Sequence, residues 1–175
     1  MKSNFLFIGA MFLFLAFTTS SCSDDDGDDP GGNTASAGTV KANVDGFDFE
    51  SEPMASSLTV QEAGGSTTMF ITATDFEGRN LTLQITGYNG EGNYDIGGAN
   101  IVFVNATWVV IDVNNPTGTP DTWVSPYDGD AVRGFIDVNV DSGDNMQGTF
   151  EFSASDGTGA GGIIDITNGS FNLDY

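Results

Sequence analysis

Apolar and polar residues alternate along most of the chain after residue 38. A period of two is typical of strands that are buried on one face only. The pattern predicts roughly eight to ten such strands separated by turn residues, and no helical period is sustained after residue 22. The clearest alternating runs are Val40, Ala42 and Val44; Leu81, Leu83 and Ile85; Ile136, Val138 and Val140; Phe150, Phe152 and Ala154; and Phe171, Leu173 and Tyr175.

Short turns join these runs. The segments 62–65, 76–78 and 141–145 contain the Gly and Asn residues that hairpin turns require, because those residues accept positive φ angles. Short links between successive strands favour an antiparallel, mostly meander connection. Residues 37–175 are therefore predicted to form a single all-β domain. The sheet is expected to close as an antiparallel β-sandwich or a flattened small barrel, which would protect its edges.

The N-terminal segment has a different composition. Lys2 supplies a positive charge, residues 5–17 are almost continuously apolar, and residues 18–21 are small. This order is typical of a secretory signal peptide. The apolar run is shorter than the roughly 20 residues that a membrane-spanning helix needs. Residues 1–21 are predicted to be a signal peptide that is removed.

Cys22 is the only cysteine, so it cannot form an intramolecular disulfide. The segment around it resembles the lipobox of bacterial lipoproteins, in which the cysteine is lipidated and becomes the new N-terminus. Thr19 departs from the Leu that many lipoboxes carry at that position. The resemblance implies lipidation of Cys22 and a membrane as partner. The alternative is an ordinary signal peptide followed by an incidental cysteine.

Residues 22–36 are predicted to be a lipidated cysteine followed by an acidic, flexible tether, because the segment has too few apolar side chains to order itself. The acidic run Ser23-Asp24-Asp25-Asp26 resembles the surface-export signal of Bacteroidetes lipoproteins. That resemblance implies a lipid-anchored protein of the outer membrane, with its domain facing the cell exterior. The alternative is a solvated spacer.

Charge and missing residue types exclude several functions. Once the predicted signal peptide with Lys2 is removed, the chain keeps three basic residues against 25 acidic ones, a formal charge of −22. Such a polyanion repels phosphate backbones, so no nucleic-acid partner is expected. Histidine is absent, which removes the commonest general base and metal ligand. With Cys22 blocked, only carboxylate-pair chemistry remains, and the chain is predicted not to be an enzyme.

A wider resemblance extends over about residues 39–175. The segments 147–154 and 166–172 look like the closing strands of a family of small bacterial surface lipoproteins of unknown function. Residues 44–49 look like the opening strand pair of that family, and residues 92–97 like its mid-domain turn. The resemblance implies an all-β lipoprotein domain and brings no activity with it.

Calcium is the first ligand to consider, because Asp, Asn and Gly are frequent in the turns. Asp137, Asn139 and Asp141 have the spacing that opens an EF-hand loop. Ser142 and Gly148 then stand where such a loop needs Gly and Glu. Val138 and Val140 are expected to be core residues of the same strand. No metal site or cofactor is predicted, and weak Ca²⁺ binding at the acidic turns remains open.

A carbohydrate is the second candidate ligand. Residues 114–130 form the longest stretch without clear alternation, and long ordered loops are uncommon unless they are functional. Rings with carboxylates nearby suit a sugar, because the ring stacks and the acid accepts hydrogen bonds from hydroxyl groups. The alternative is a short edge strand at 122–124 whose indole packs on the core. The candidate ligand-binding residues are Trp123, Tyr127, Asp121, Asp128 and Asp130.

These observations predict a non-enzymatic surface lipoprotein whose β-domain is a binding or structural module. A glycan or a protein of the cell envelope is the expected partner. Two alternatives stay open. One is a small glycoside hydrolase that depends on carboxylates, which requires two acids facing one groove. The other is an accessory subunit of an outer-membrane complex.

Overall fold

The structure is a computed structural model that describes residues 34–99, 102–157 and 162–175. The predicted signal peptide, Cys22 and residues 23–33 of the predicted tether lie outside these ranges. The strands are β1 (Thr39–Val44), β2 (Phe47–Glu50), β3 (Ser56–Ala63), β4 (Ser66–Thr74), β5 (Arg79–Thr86), β6 (Gly92–Ile96), β7 (Phe103–Val110), β8 (Asp121–Ser125), β9 (Gly134–Asp141), β10 (Asn145–Ser155) and β11 (Ile163–Asp174). One 3-10 turn spans Pro53–Ala55.

All strand pairs are antiparallel, and the sheet curls on itself as a half-barrel. The main order is β2-β1-β11-β10-β8-β7-β5-β4-β3, and β9 adds a branch by pairing with β10 and β6. The sheet has two halves, β2-β1-β11-β10 and β8-β7-β5-β4-β3, and the long strand β10 joins them. One edge of β10 pairs with β11, and the other pairs with β9 over most of its length and with β8 only at Ser155. The prediction of an antiparallel all-β fold is confirmed. In the described part of the chain, no helix is long and apolar enough to cross a bilayer.

The described residues form eleven strands, against the predicted eight to ten. The expectation that residues 92–97 form a mid-domain turn is wrong, because Gly92–Ile96 forms strand β6. Tyr94 pairs with Ile136 of β9, and Ile96 is fully buried. The alternation is present in the sequence, but the flanking glycines give the segment the composition of a loop.

A single apolar core fills the space between the inner faces of the sheet. The two halves meet where the ring of Phe49 on β2 stands edge-on to Trp108 on β7, with centroids 5.1 Å apart and an interplanar angle of 88°. The large side chains that are fully buried are Phe150, Phe171, Met69, Ile71, Leu81, Leu83, Ile85, Ile96, Ile136, Met146, Ile166 and Leu173.

The expectation that both Val138 and Val140 are core residues is half wrong. Val138 is buried, whereas Val140 is 37% exposed. Opposite them, Gly148 pairs with Val138 and Gln147 with Val140, so Asn139 has no partner across the pair. This β-bulge inserts one residue and reverses the face on which the following side chain lies.

Among the described residues, the buried apolar side chains lie between Ala35 and Leu173. Ala35 is itself buried, and its carbonyl oxygen accepts a hydrogen bond from the side chain of Asn172. A segment with its own core can fold by itself. We therefore expect a soluble protein made of residues 23–175 to keep this fold.

Candidate functional site

The structure places Trp123 in strand β8, opposite Trp108 of β7. Its indole packs against the apolar core, and its Nε1 is buried without a hydrogen-bond partner among the described residues. Residues 122–124 thus lie in a short strand, but β8 runs between β7 and the end of β10 instead of along an edge. The face of Trp123 that contacts the core is closed to a ligand.

Tyr127 lies in a different environment from Trp123. The guanidinium carbon of Arg133 is 4.2 Å from the centre of the Tyr127 ring, a cation–π contact. The Tyr127 hydroxyl is 3.2 Å from the Ser153 hydroxyl, and Arg133 Nε donates a hydrogen bond to the Tyr127 carbonyl oxygen. The Asp128 carboxylate is 3.9 Å from Arg133. Arg133 therefore occupies one face of the ring and lies beside the nearest acid.

A cleft of about 550 Å³ is lined by Tyr127 and Asp128, together with Ser155 and Ile163. The structure thus brings together two of the five candidate residues. Trp123 does not line this cleft. Asp121 and Asp130 are exposed and do not line it either.

A second cleft, of about 430 Å³, lies beside strand β6, and we call it the β6 cleft. Among the described strands β6 pairs only with β9, so its other edge is free. The chain turns away after β5 at Gly87, which has a φ of +89°, and returns as β6. The lining residues are Gly87, Asn89, Glu91, Gly92, Asn93, Tyr94, Asp95, Val102 and Val104.

The β6 cleft combines three kinds of side chain. Asn89 and Asn93 carry amides, Glu91 and Asp95 carry carboxylates, and all four are exposed. Tyr94 and two valines supply apolar surface. An amide donates and accepts hydrogen bonds, whereas an ionised carboxylate only accepts them. The set suits a neutral ligand with many hydroxyl groups, each of which can both donate and accept.

The turn that carries Asn89 and Glu91 is folded around the hydroxyl of Tyr94. This hydroxyl donates a 2.6 Å hydrogen bond to the Gly90 carbonyl oxygen and accepts one from the Asn89 backbone N–H. The ring of Tyr94 lies 5.7 Å from that of the buried Tyr88. The backbone of the turn is therefore held by side chains of the same segment.

Asp141, at the end of β9, hydrogen-bonds to residues on three segments around the β6 cleft. Its carboxylate accepts hydrogen bonds from the hydroxyls of Tyr88 and Tyr175, each 2.7 Å long. Its backbone N–H donates to the Glu91 side chain at 3.1 Å. These contacts join the turn before β6, the end of β9 and the C-terminus, so they hold the position of Glu91.

Hydrogen bonding also changes the protonation of this cluster. The hydrogen bonds from Tyr175 and, with a smaller effect, from Tyr88 lower the pKa of the Asp141 carboxyl below its ordinary value, because they stabilise its charged form. Burial raises the pKa of both tyrosines, and the hydrogen bond to Asp141 and then the charge of Asp141 raise it further. The cluster is a carboxylate between two neutral phenols over the ordinary pH range.

The residues whose spacing resembles the opening of an EF-hand loop, and which were not predicted to bind a metal, are used in contacts with each other and with tyrosine side chains. Asn139 donates a hydrogen bond to the Asp137 carboxylate at 2.9 Å, and the Asp141 carboxylate is held by its two tyrosines. Within residues 34–99, 102–157 and 162–175, no three acidic side chains are grouped so that they could hold a metal ion.

Sequence reasoning missed the β6 cleft. It favoured the long stretch 114–130 because that stretch lacks alternation, and it interpreted residues 92–97 as a turn. The available signal was the density of Asn, Glu and Tyr in residues 88–95 (YNGEGNYD).

The chain matches no protein-family model, no curated protein and no solved structure.

Proposed function

We propose that this protein is a non-enzymatic, lipid-anchored surface module that binds a carbohydrate in the β6 cleft. One observation carries the proposal: two amides, two carboxylates and a tyrosine line the same 430 Å³ of open space beside a free strand edge. Binding sites of this size are concave and use a few placed polar groups to orient the ligand.

The charge of the site supports a neutral polyhydroxylated ligand. Glu91 and Asp95 line the cleft, and its described lining includes no basic side chain, so an anionic ligand would be repelled. Hydroxyl groups of a sugar can donate to these carboxylates and can pair with Asn89 and Asn93 in either direction. The contact between Glu91 and the Asp141 backbone holds part of this surface in place before a ligand arrives, which lowers the entropy cost of binding.

The proposed anchor is lipid on Cys22, with the acidic residues between Cys22 and the buried Ala35 as the tether and the outer membrane as the location. A flexible tether of this length spans on the order of 20 Å, and its like charges extend it further. The domain would then stand clear of the membrane on the exterior face, with its cleft open to glycans. This part of the proposal is supported by the resemblances of the N-terminal segment.

Glycan binding is tested by titrating residues 23–175 with neutral oligosaccharides selected on a glycan array and measuring heat. Replacing Asn93 with Ala removes one amide, and Asp95→Asn removes one carboxylate. Each is expected to weaken binding about tenfold or more, the loss of one or two hydrogen bonds to a ligand. Gln61→Ala changes an amide in a separate shallow groove between β3 and β4 and serves as the matched control. Loss of binding in Tyr127→Ala, with Asn93→Ala unaffected, would instead place the ligand at the other cleft.

The anchor is tested separately with the full chain. Wild type is expected to take up labelled fatty acid and to partition with membranes, and Cys22→Ala is expected to do neither. Protease or antibody accessibility on intact cells then reports whether the domain faces outward. Continued labelling of the Cys22→Ala protein would refute the anchor without bearing on glycan binding.

A glycoside hydrolase is the second candidate, because two acids, Glu91 and Asp95, line one cleft. Hydrolysis of a glycosidic bond needs such a pair, one acting as acid and the other as base or nucleophile. The test is release of reducing ends from the oligosaccharides that bind. Activity that disappears in both Glu91→Gln and Asp95→Asn would favour the enzyme, and binding without turnover would favour the module.

A further inference from the structure

The end of the half-barrel remote from the β6 cleft is also open. Arg79 begins β5 and lines this opening, whereas Gly87 follows the last residue of β5 and lines the β6 cleft. The opening is an apolar cavity of about 190 Å³ between the two halves of the sheet. We call it the apolar mouth. Its apolar walls are Val44, Phe47, Phe49, Trp108, Val110 and Ile164.

Phe47 is the unusual residue of the apolar mouth. It lies on the same face of β2 as Phe49, which is buried against Trp108. Phe47 is one step further along that face, beyond the end of the core, and is 71% exposed. The turn Asp45-Gly46, with φ angles of 51° and 88°, reverses the chain and sets Phe47 opposite Val44 at the rim. A large ring thus faces the cavity with nothing over it among the described residues.

The rim of the apolar mouth carries excess negative charge. Arg79 is its one basic residue, and its guanidinium is paired with the carboxylates of Asp75 and Glu77. Asp45 also lines the cavity, and its carboxylate is held by the backbone N–H of Asp165. One positive charge therefore stands against three negative ones. An anion would find the guanidinium already paired, and a carboxylate or sulfonate would be repelled.

We propose that the apolar mouth binds a small aromatic group that is neutral or cationic. The walls include three aromatic rings, and the exposed ring of Phe47 is the one on which a flat ligand can stack. An apolar cavity of about 150 Å³ is enough to bind benzene, so a cavity of 190 Å³ accepts one ring or a fused pair. The acidic rim selects against anions. This inference depends on the fold alone and is independent of the proposed glycan site.

Two fluorescent probes with the same aromatic skeleton test both parts of the proposal. 2-Naphthylamine is a fused pair of rings that is neutral at pH 7, and 6-amino-2-naphthalenesulfonate adds one negative charge to the same rings. Residues 23–175 are titrated with each probe, and probe fluorescence is measured with excitation of tryptophan, because Trp108 forms one wall. We expect saturable binding of the neutral probe and binding of the sulfonate that is at least about tenfold weaker.

Phe47→Ser removes the exposed ring and is expected to weaken binding of the neutral probe about tenfold. Phe76→Ser is the matched control, since Phe76 is 84% exposed and does not line the cavity. Phe47→Tyr keeps the ring and should bind within about twofold of wild type. The thermal midpoints of all variants confirm that they are folded.

Absence of saturable binding to the folded wild type would overturn the proposal. Equal losses in Phe47→Ser and Phe76→Ser would do so as well, because they would show nonspecific adhesion to exposed rings. Sulfonate binding as tight as that of the neutral probe would refute the charge selection. A dimer in sedimentation that excludes the neutral probe would assign the apolar mouth to contact between copies of the chain and would likewise contradict the proposal.

Discussion

Gly148 of β10 lies directly beneath the ring of Phe171 of β11, and the two residues pair across these strands. A Cβ atom at position 148 would overlap this ring and the carbonyl oxygen of Asp137 on the other side. Phe150 and Gly169 repeat the arrangement in the opposite direction, with the Phe150 ring over the second glycine. The two phenylalanines are fully or almost fully buried, so these glycines allow the central strands to pack closely.

We predict that Gly148→Ala destabilises the domain by about 3 kcal/mol, because the added methyl meets backbone on one side and a buried ring on the other. Urea unfolding followed by tryptophan fluorescence measures the change. Gly143→Ala is a useful contrast, since a Cβ there meets nothing within 4 Å and its cost comes from a φ of +82° alone. A smaller loss for Gly148→Ala than for Gly143→Ala would contradict this account of the packing.

Phe49 and Trp108 give a second prediction about the core. Phe49 is 2% exposed and joins the inner faces of the two halves. Its replacement by Ala removes the burial of a large ring and leaves a cavity, so a loss of about 3–5 kcal/mol is expected. The blue shift of Trp108 emission should also decrease. An unfolding free energy within about 1 kcal/mol of wild type would show that the two halves do not depend on this contact.

The two tyrosines on Asp141 should contribute unequally. Tyr88 is 7% exposed and Tyr175 is 47% exposed, although both donate to the same carboxylate at 2.7 Å. Solvent weakens the outer contact, so Tyr88→Phe is expected to lower the free energy of unfolding by about 1.5–2 kcal/mol and Tyr175→Phe by less than about 1 kcal/mol. Chemical denaturation of the two variants beside wild type gives the comparison. The reverse order would show that burial does not decide how much each of these two hydrogen bonds contributes to stability.

The lowered pKa of Asp141 has a defined effect in acid. A carboxyl group whose pKa is lower in the folded state stabilises the fold above its unfolded pKa, here near 3.8. That contribution is lost as the pH falls through the folded value. The difference in thermal midpoint between wild type and Asp141→Asn should therefore be largest near neutral pH and shrink below about pH 3.8.

Melting curves of both proteins across this pH range test the linkage. Asp144→Asn provides a control in the same hairpin, because the Asp144 side chain is not held by these tyrosines. A difference between wild type and Asp141→Asn that stays constant down to the lowest pH would show that the charge of Asp141 does not stabilise the fold.

Much of the fold could be predicted from the sequence, because a half-buried strand leaves a local record. The runs around Val40, Leu83 and Phe152 alternate as strands do, and the hairpins at 62–65, 76–78 and 141–145 form where Gly and Asn occur. The exposure of the Val140 side chain could not be predicted. It depends on a bulge at Asn139 that exists only in the pairing with β10.

The β6 cleft was missed although its lining residues all lie between Gly87 and Val104, because the glycines around β6 give this segment the composition of a turn. Tyr94 and Asp95 belong to β6, whereas Val104 belongs to β7, and Asp141 supports them from the end of β9. Trp123 illustrates the opposite case. An aromatic residue in a polar stretch suggested a binding surface, but its pairing with Trp108 turns the indole toward the core.

The most direct test of the proposed function is a map of where a bound glycan lies. Backbone amide shifts of residues 23–175 are followed by NMR while an oligosaccharide selected on the array is added. The largest changes are expected at residues 87–95 and 102–104, and they should be several-fold smaller in Asn93→Ala at a ligand concentration that half-saturates the wild type. Changes centred on residues 121–130, or no saturable change with any selected glycan, would contradict the assignment of the β6 cleft.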